Sequence, residues 1–172
     1  MRNKIIYITF AIMFVLIMLI ILPKSNKKNF LSDNEALTLV VRAADTFRYV
    51  SEGGNDPIIN QNDLSKMKIE DLDINTKQKV MAYLQKIYTK DVAEQIYNMC
   101  GYKEINDVLY KEITDSIYTE DWKNAVVKDI KYTYDKALVT FEVPSASDNI
   151  NTVKIEYVKN DEDEIRINNI VY

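Results

Sequence analysis

Hydrophobic and polar positions follow three regimes along this chain. From Ile5 to Leu22, eighteen consecutive positions carry no charge and only Thr9 is polar; Arg2 and Lys4 precede the run and Lys24, Lys27 and Lys28 follow it. As a helix rising about 1.5 Å per residue the run spans roughly 27 Å, close to the thickness of a bilayer's hydrocarbon core. It meets Pro23, Lys24, Ser25 and Asn26 where a secretory leader shows small residues of an A-x-A-like cleavage site. The one cysteine, Cys100, is far from the run, so a lipid-modified leader is excluded. Residues 1–30 therefore read as an uncleaved signal-anchor with a short linker, and residues 31–172 as one domain.

From residue 32 the apolar positions take a helical period. Ser32 with Glu35 makes a capping-box pattern, and Leu37, Val40, Val41, Ala44 and Phe47 recur at helical spacing until Gly53-Gly54 ends the run. A polar loop through Pro57 follows. Asn75 or Thr76 is placed to cap a second helix with Val80, Tyr83, Leu84 and Ile87 on its apolar face. Thr89 caps a third, with Val92, Ala93 and Ile96 joined by Tyr97 or Cys100, closing at Gly101. The second and third helices form a helical hairpin.

Beyond Gly101 the period shortens to two. A hairpin is expected over Tyr102 to Lys111 with Asn106-Asp107 at its tip. Ile130, Tyr132 and Tyr134 alternate with Lys131, Thr133 and Asp135, and across a turn at Asp135-Lys136 the residues Ala137, Val139, Phe141 and Val143 share a face. Val153, Ile155 and Tyr157 alternate next. A turn at Asn160 to Asp163 leads to a last strand through Ile165, Ile167, Ile170 and Tyr172, with a bulge near Asn168-Asn169 where alternation breaks. The fold class is α+β: an N-terminal transmembrane helix, then about three helices followed by a C-terminal antiparallel meander, with room for two lobes.

Composition narrows the chemistry. The 172 residues include no histidine, which removes Ser-His and Cys-His nucleophiles and histidine-held metals. Cys100, with no base to activate it, reads as a small buried apolar residue. A glycosidase-like acid pair stays open among the 26 carboxylates, although most fall on solvent-facing strand positions or helix flanks. Asp71, Asp73 and Asn75 match the first three ligand positions of an EF-hand loop. Thr76 stands where that loop needs glycine and Ala82 where it needs a bidentate glutamate, so the trio reads as acceptors at a helix N-terminus. The acidic run Asp161 to Glu164 reads as a solvated turn. The expectation is a non-enzymatic protein with no catalytic residue, metal or cofactor.

Five of the 22 basic residues and none of the 26 acidic ones precede residue 31, so the remainder carries a net −9. That balance argues against nucleic acid as a partner and suits a domain facing out of the cytoplasm. Frequent Ile, Asn, Lys and Tyr suggest an AT-rich bacterial genome, and a lone cysteine is compatible with export in such cell-surface proteins. The expected location is the bacterial cell membrane, crossed once, with the C-terminal domain extracytoplasmic.

Recognition by surface shape is what remains. Most of the twelve tyrosines are expected half-buried with their hydroxyls at the rim. Trp122, after Glu120-Asp121, is the one tryptophan, a residue more often a core plug than an interface anchor. Arg48, Tyr49 and Glu52 sit late in the first helix beside Gly53-Gly54, where a groove between helix and sheet can open. The candidate partner-binding residues are Arg48, Tyr49, Glu52, Asp121 and Trp122.

Several stretches also resemble one family in sequential order. These are Phe47-Arg48-Tyr49-Val50-Ser51-Glu52-Gly53-Gly54, then Asp73-Ile74-Asn75-Thr76-Lys77 into Ala82-Tyr83-Leu84, then Tyr88-Thr89-Lys90-Asp91-Val92-Ala93-Glu94, then Asp121-Trp122 with the closing strands. Together, over most of residues 35–172, they resemble IseA, the bacterial inhibitor of cell separation. The resemblance implies an extracytoplasmic, non-enzymatic inhibitor of D,L-endopeptidases, the NlpC-type cysteine peptidases that cut peptidoglycan stem peptides. It further implies a cell-wall D,L-endopeptidase as protein partner and a surface that occludes its active-site cleft. Two features depart from the family pattern: members are typically secreted through a cleavable leader, and the glycine-containing loop expected before the tryptophan is here Ile113 to Glu120, without glycine. The alternative is a membrane-anchored adaptor or scaffold domain that binds another envelope protein.

Overall fold

The computed structural model describes residues 30–55, 57–59, 65–113, 120–147 and 149–171. The expected membrane span and its flanks, residues 114–119 of the glycine-free loop, and Tyr172 lie outside the described residues. Among those described, no helix is long and apolar enough to cross a membrane.

Helix α1, Asp33–Glu52, is bounded by two local devices. At its start the Ser32 hydroxyl accepts from the Glu35 amide at 3.3 Å, and the Glu35 carboxylate accepts from the Ser32 amide at 2.8 Å, so two helix-end donors are satisfied reciprocally. At its end Gly53 and Gly54 both take φ of +86°, and the Gly54 amide donates back to the Tyr49 carbonyl at 2.9 Å. The buried face is Ala36, Val40, Ala43 and Val50, with Leu37 and Phe47 partly covered. This is rotated from the expected Leu37, Val40, Val41, Ala44 and Phe47.

Tyrosines explain the rotation. Tyr157 donates to the Ala36 carbonyl at 3.0 Å, Tyr88 to Ala43 at 2.8 Å and Tyr102 to Val50 at 2.5 Å, while Tyr132 donates to the Leu31 carbonyl just before the helix. Alanines at 36 and 43 let these rings approach the helix backbone closely, so small residues outrank larger apolar ones on the covered face. The hydroxyls of these four end on main-chain carbonyls, three of them in α1, and for Tyr88, Tyr102 and Tyr157 the whole side chain is buried.

The segment between the first two helices, expected as a polar loop through Pro57, contains two strands, β1 (Ile58–Ile59) and β2 (Lys66–Lys68). They join β3 (Tyr102–Ile105) and β4 (Val108–Glu112) in an antiparallel sheet of order β1-β2-β4-β3, with Lys66 opposite Glu112. Strands this short hold no alternation to read, and β2 pairs with a segment far along the chain. The β3–β4 hairpin has the expected tip, Asn106 and Asp107 both with positive φ.

Helix α2, Lys77–Leu84, is capped by Thr76, whose hydroxyl accepts from Lys79 at 3.2 Å. Ile87 is buried in the turn after the helix rather than on it. Helix α3, Lys90–Met99, starts after Thr89, but the Thr89 hydroxyl makes no capping bond and is buried without a partner among the described residues. Backbone pairing sets this start instead: the Thr89 amide donates to the Ile167 carbonyl and the Ile167 amide to the Ile87 carbonyl, each at 2.9 Å.

A short 3-10 helix, Trp122–Asn124, leads into the meander: β5 (Val126–Tyr132), β6 (Lys136–Pro144), β7 (Ile150–Lys159) and β8 (Ile165–Val171), hydrogen-bonded in that order. Ala137, Val139, Phe141, Val143, Val153, Ile155, Tyr157 and Ile167 fill its inner face. The β5–β6 turn falls one residue earlier than expected. Thr133 donates to the Lys136 carbonyl at 2.8 Å, and Tyr134 sits in the turn at 99% exposure instead of continuing the face of Ile130 and Tyr132. The expected bulge is present: Glu156 faces Asn169 and Tyr157 faces Ile167, which leaves Asn168 as the extra residue. Its side-chain amide donates to the Glu156 carboxylate at 2.6 Å. The run Asp161 to Glu164 is an exposed turn, with Asp163 at positive φ.

The described residues thus form an α+β fold of three helices and two four-stranded antiparallel sheets. Segregation is less complete than expected, because β1 and β2 precede α2. Helix α1 is tied to the meander through Tyr157 and Tyr132 and to the first sheet through Tyr102, and α3 touches both β3 and β8.

Candidate functional site

Two grooves flank α1. Successive helical residues advance by about 100°, so Arg42, Asp45, Tyr49 and Glu52 share one face of α1 and Val40, Ala43 and Phe47 the opposite one. The first face opens on a polar groove of about 530 Å³ whose far wall carries Tyr83 and Lys86. Arg48 pairs with Asp45 at 2.8 Å there. The Tyr49 and Tyr83 rings lie 4.9 Å apart at 33°, and the Lys86 ammonium stands 4.7 Å from the Tyr83 ring centre.

Asp71, behind the lining, anchors two residues of this groove, Tyr49 and Asn55. Its carboxylate accepts from the Tyr49 hydroxyl at 2.6 Å, the Asn55 amide at 2.9 Å and the Asp73 amide at 3.0 Å. These donors, Tyr49 first, hold the Asp71 carboxyl below the usual aspartate range. Burial and then the bond to Asp71 push the Tyr49 hydroxyl up, so it stays a donor. A side chain at Gly54 has no room, since a Cβ there falls 2.7 Å from Asp71. The residues that matched the start of a calcium loop therefore join the end of α1 to the segment leading into α2. Among the described residues no group of three or more potential protein ligands converges to hold a metal ion.

The second groove, about 370 Å³, is apolar and includes Phe47 of α1, Ile96 and Met99 of α3, Trp122 and Ile170. Trp122 is half-buried: it meets the buried Phe141 edge-on, with ring centres 5.9 Å apart at 82°, and also lines the groove. Met99 beside it is 64% exposed. Asp121 is exposed, and it closes the 3-10 turn by accepting from Asn124 at 2.7 Å while its amide donates to Pro144 at 2.7 Å.

Arg48, Tyr49 and Glu52 thus come together in the polar groove, Trp122 lines the apolar one with Asp121 at its turn, and α1 separates the two sets. Arg42, Lys86 and Met99 were not legible as site residues. The spacing of Arg42, Asp45, Tyr49 and Glu52 along one helix face was the signal available for the first; nothing local marks the other two. Among the described residues that line them, neither groove has a serine, cysteine or histidine. Cys100 is buried away from both, and burial, opposed by Lys111, pushes its thiol up to about 11.

The model of a family described as IseA DL-endopeptidase inhibitor matches residues 27–169, a span that includes α1, the polar groove, the first sheet and the meander up to Asn169 of β8. A comparison with curated proteins finds no match.

Proposed function

We infer function from membership: the chain belongs to the IseA DL-endopeptidase inhibitor family. We propose that it is a non-enzymatic, extracytoplasmic inhibitor of the NlpC-type D,L-endopeptidases that open peptidoglycan stem peptides, held at the membrane by Ile5 to Leu22. The family match over residues 27–169 carries this reading.

The chemistry of the chain supports it. A protein without histidine, whose one thiol is buried and kept protonated, has no evident means of inactivating a peptidase covalently. In this reading it acts by covering the peptidase cleft. The apolar groove offers the means: Trp122 and Met99 are partly open to solvent there, and half-buried aromatics on rigid support are the usual anchors of protein contacts. Asp121 stands at its edge.

The test mixes the full chain, in neutral detergent, with a D,L-endopeptidase catalytic domain and follows digestion of purified cell wall. Digestion should stop as the chain reaches equimolar amount. Undiminished digestion at saturating chain would refute inhibition and leave the adaptor role in its place. Protease digestion of intact cells tests location: the domain should be cut without lysis.

A further inference from the structure

We propose that the polar groove on the outer face of α1 binds a peptide segment bearing a carboxylate, which is held between Arg42 and Lys86. The groove is lined by three cations, Arg42, Arg48 and Lys86. Arg48 is neutralised by Asp45 at 2.8 Å. Arg42 and Lys86 have no carboxylate partner among the described residues; Lys90, Lys123 and Lys154 lack one too but do not line this groove, whereas Lys68, Lys103, Lys136, Lys159 and Arg166 each have one. Of the nearby acids, Asp71 is saturated by three donors beneath Tyr49, which leaves Glu52 at the glycine end of the groove. The three cations thus outnumber the two acids that line the groove by one, in a chain of net charge −4.

The two cations are also held differently, which sets the geometry of a guest. Lys86 comes from the turn after α2 and lies over the Tyr83 ring, which itself packs at a tilt against Tyr49, so the ammonium has a defined position. Arg42 projects from α1 and offers a planar fork suited to a carboxylate. A carboxylate between them would tie α1 to the α2–α3 turn. The volume, about 530 Å³, suits several residues of chain, and Thr46 and Glu52 add a hydroxyl and an acceptor for a peptide backbone. A compact inorganic anion would use the cations alone. The site lies on the opposite side of α1 from Trp122 and is independent of the inhibitor reading.

The experiment uses the full chain in neutral detergent and two fluorescein-labelled probes, acetyl-Ala-Glu-Ala-amide and its glutamine counterpart, followed by polarisation. The glutamyl peptide should bind at least about tenfold more tightly than the glutaminyl one, because only the former forms charge-assisted bonds. Arg42→Gln with Lys86→Gln should lose about the same factor, and Lys154→Gln, an exposed cation away from both grooves, should bind the probe as the natural chain does. Both cationic side chains are exposed, so the double variant keeps its fold; Lys86→Gln alone, read by the same titration, provides a second check. Equal binding of the two peptides, absence of glutamyl-peptide binding, or full affinity in the double variant would overturn the proposal.

Discussion

Replacing Trp122 by alanine separates two roles that this side chain combines. The edge-on contact with Phe141 is worth about 0.5–1.5 kcal/mol beyond the area it covers. Truncating a fully buried tryptophan costs about 3–5 kcal/mol, and Trp122 is only half-buried, so the expected loss of stability is about 2 kcal/mol. Against a domain stability of about 5–15 kcal/mol the variant stays folded. If the same indole anchors the peptidase, truncation should also cost about 2 kcal/mol of binding, or roughly thirtyfold in the inhibition constant. Urea unfolding followed by far-ultraviolet circular dichroism reads the first quantity, since the variant has no tryptophan to fluoresce; titration of wall digestion reads the second. Trp122→Phe, which can keep an aromatic edge on Phe141, should recover most of the stability. A folded alanine variant that inhibits at full strength refutes the contact surface, and one unfolded without urea shows the indole to be a core plug.

Other perturbations test the frame around the grooves. Tyr157→Phe removes a hydroxyl that donates to the Ala36 carbonyl at 3.0 Å, and Tyr102→Phe one that donates to Val50; each should lower stability by about 1 kcal/mol in urea, and no change in either would show these bonds to be incidental. Gly54→Ala meets both a φ of +86° and a 2.7 Å approach to Asp71, so its loss should exceed the roughly 1 kcal/mol of strain alone; a melting point equal to the natural chain's contradicts the packing described. The Asp71 carboxyl is held below its ordinary value of 3.8, so the stability it contributes is present above that pH and is lost as pH falls through the lower folded value. Asp71→Asn should therefore show a smaller drop in urea midpoint between about pH 6 and pH 3 than the natural chain, and equal drops in the two proteins would remove Asp71 from the acid response.

Several elements were legible because their causes are local. The α1 boundaries follow from Ser32 with Glu35 at one end and two glycines at the other, and the Asn106-Asp107 tip and the Asn168 bulge follow from backbone preference and broken alternation. The grouping of Arg48, Tyr49 and Glu52 was legible for the same reason, since helical spacing alone places them on neighbouring turns. The position of Tyr134 was not. Its alternation with Thr133 continues that of β5, and only the pairing of Tyr132 with Ala137 shows that the strand has already ended.

Composition by itself determined the absence of histidine, and residue order determined the α1 and α2 caps and the alternation of the meander strands, which depend on neighbours a few positions apart. Tertiary structure decided which face of α1 is covered, because that depends on tyrosines arriving from distant elements to reach its carbonyls. It also decided that β1 and β2 are strands, through their antiparallel pairing with each other and with β4, and that Trp122 and Tyr49 open on opposite sides of one helix. Periodicity records how often a residue is apolar; which surface meets it is settled only when the chain closes on itself.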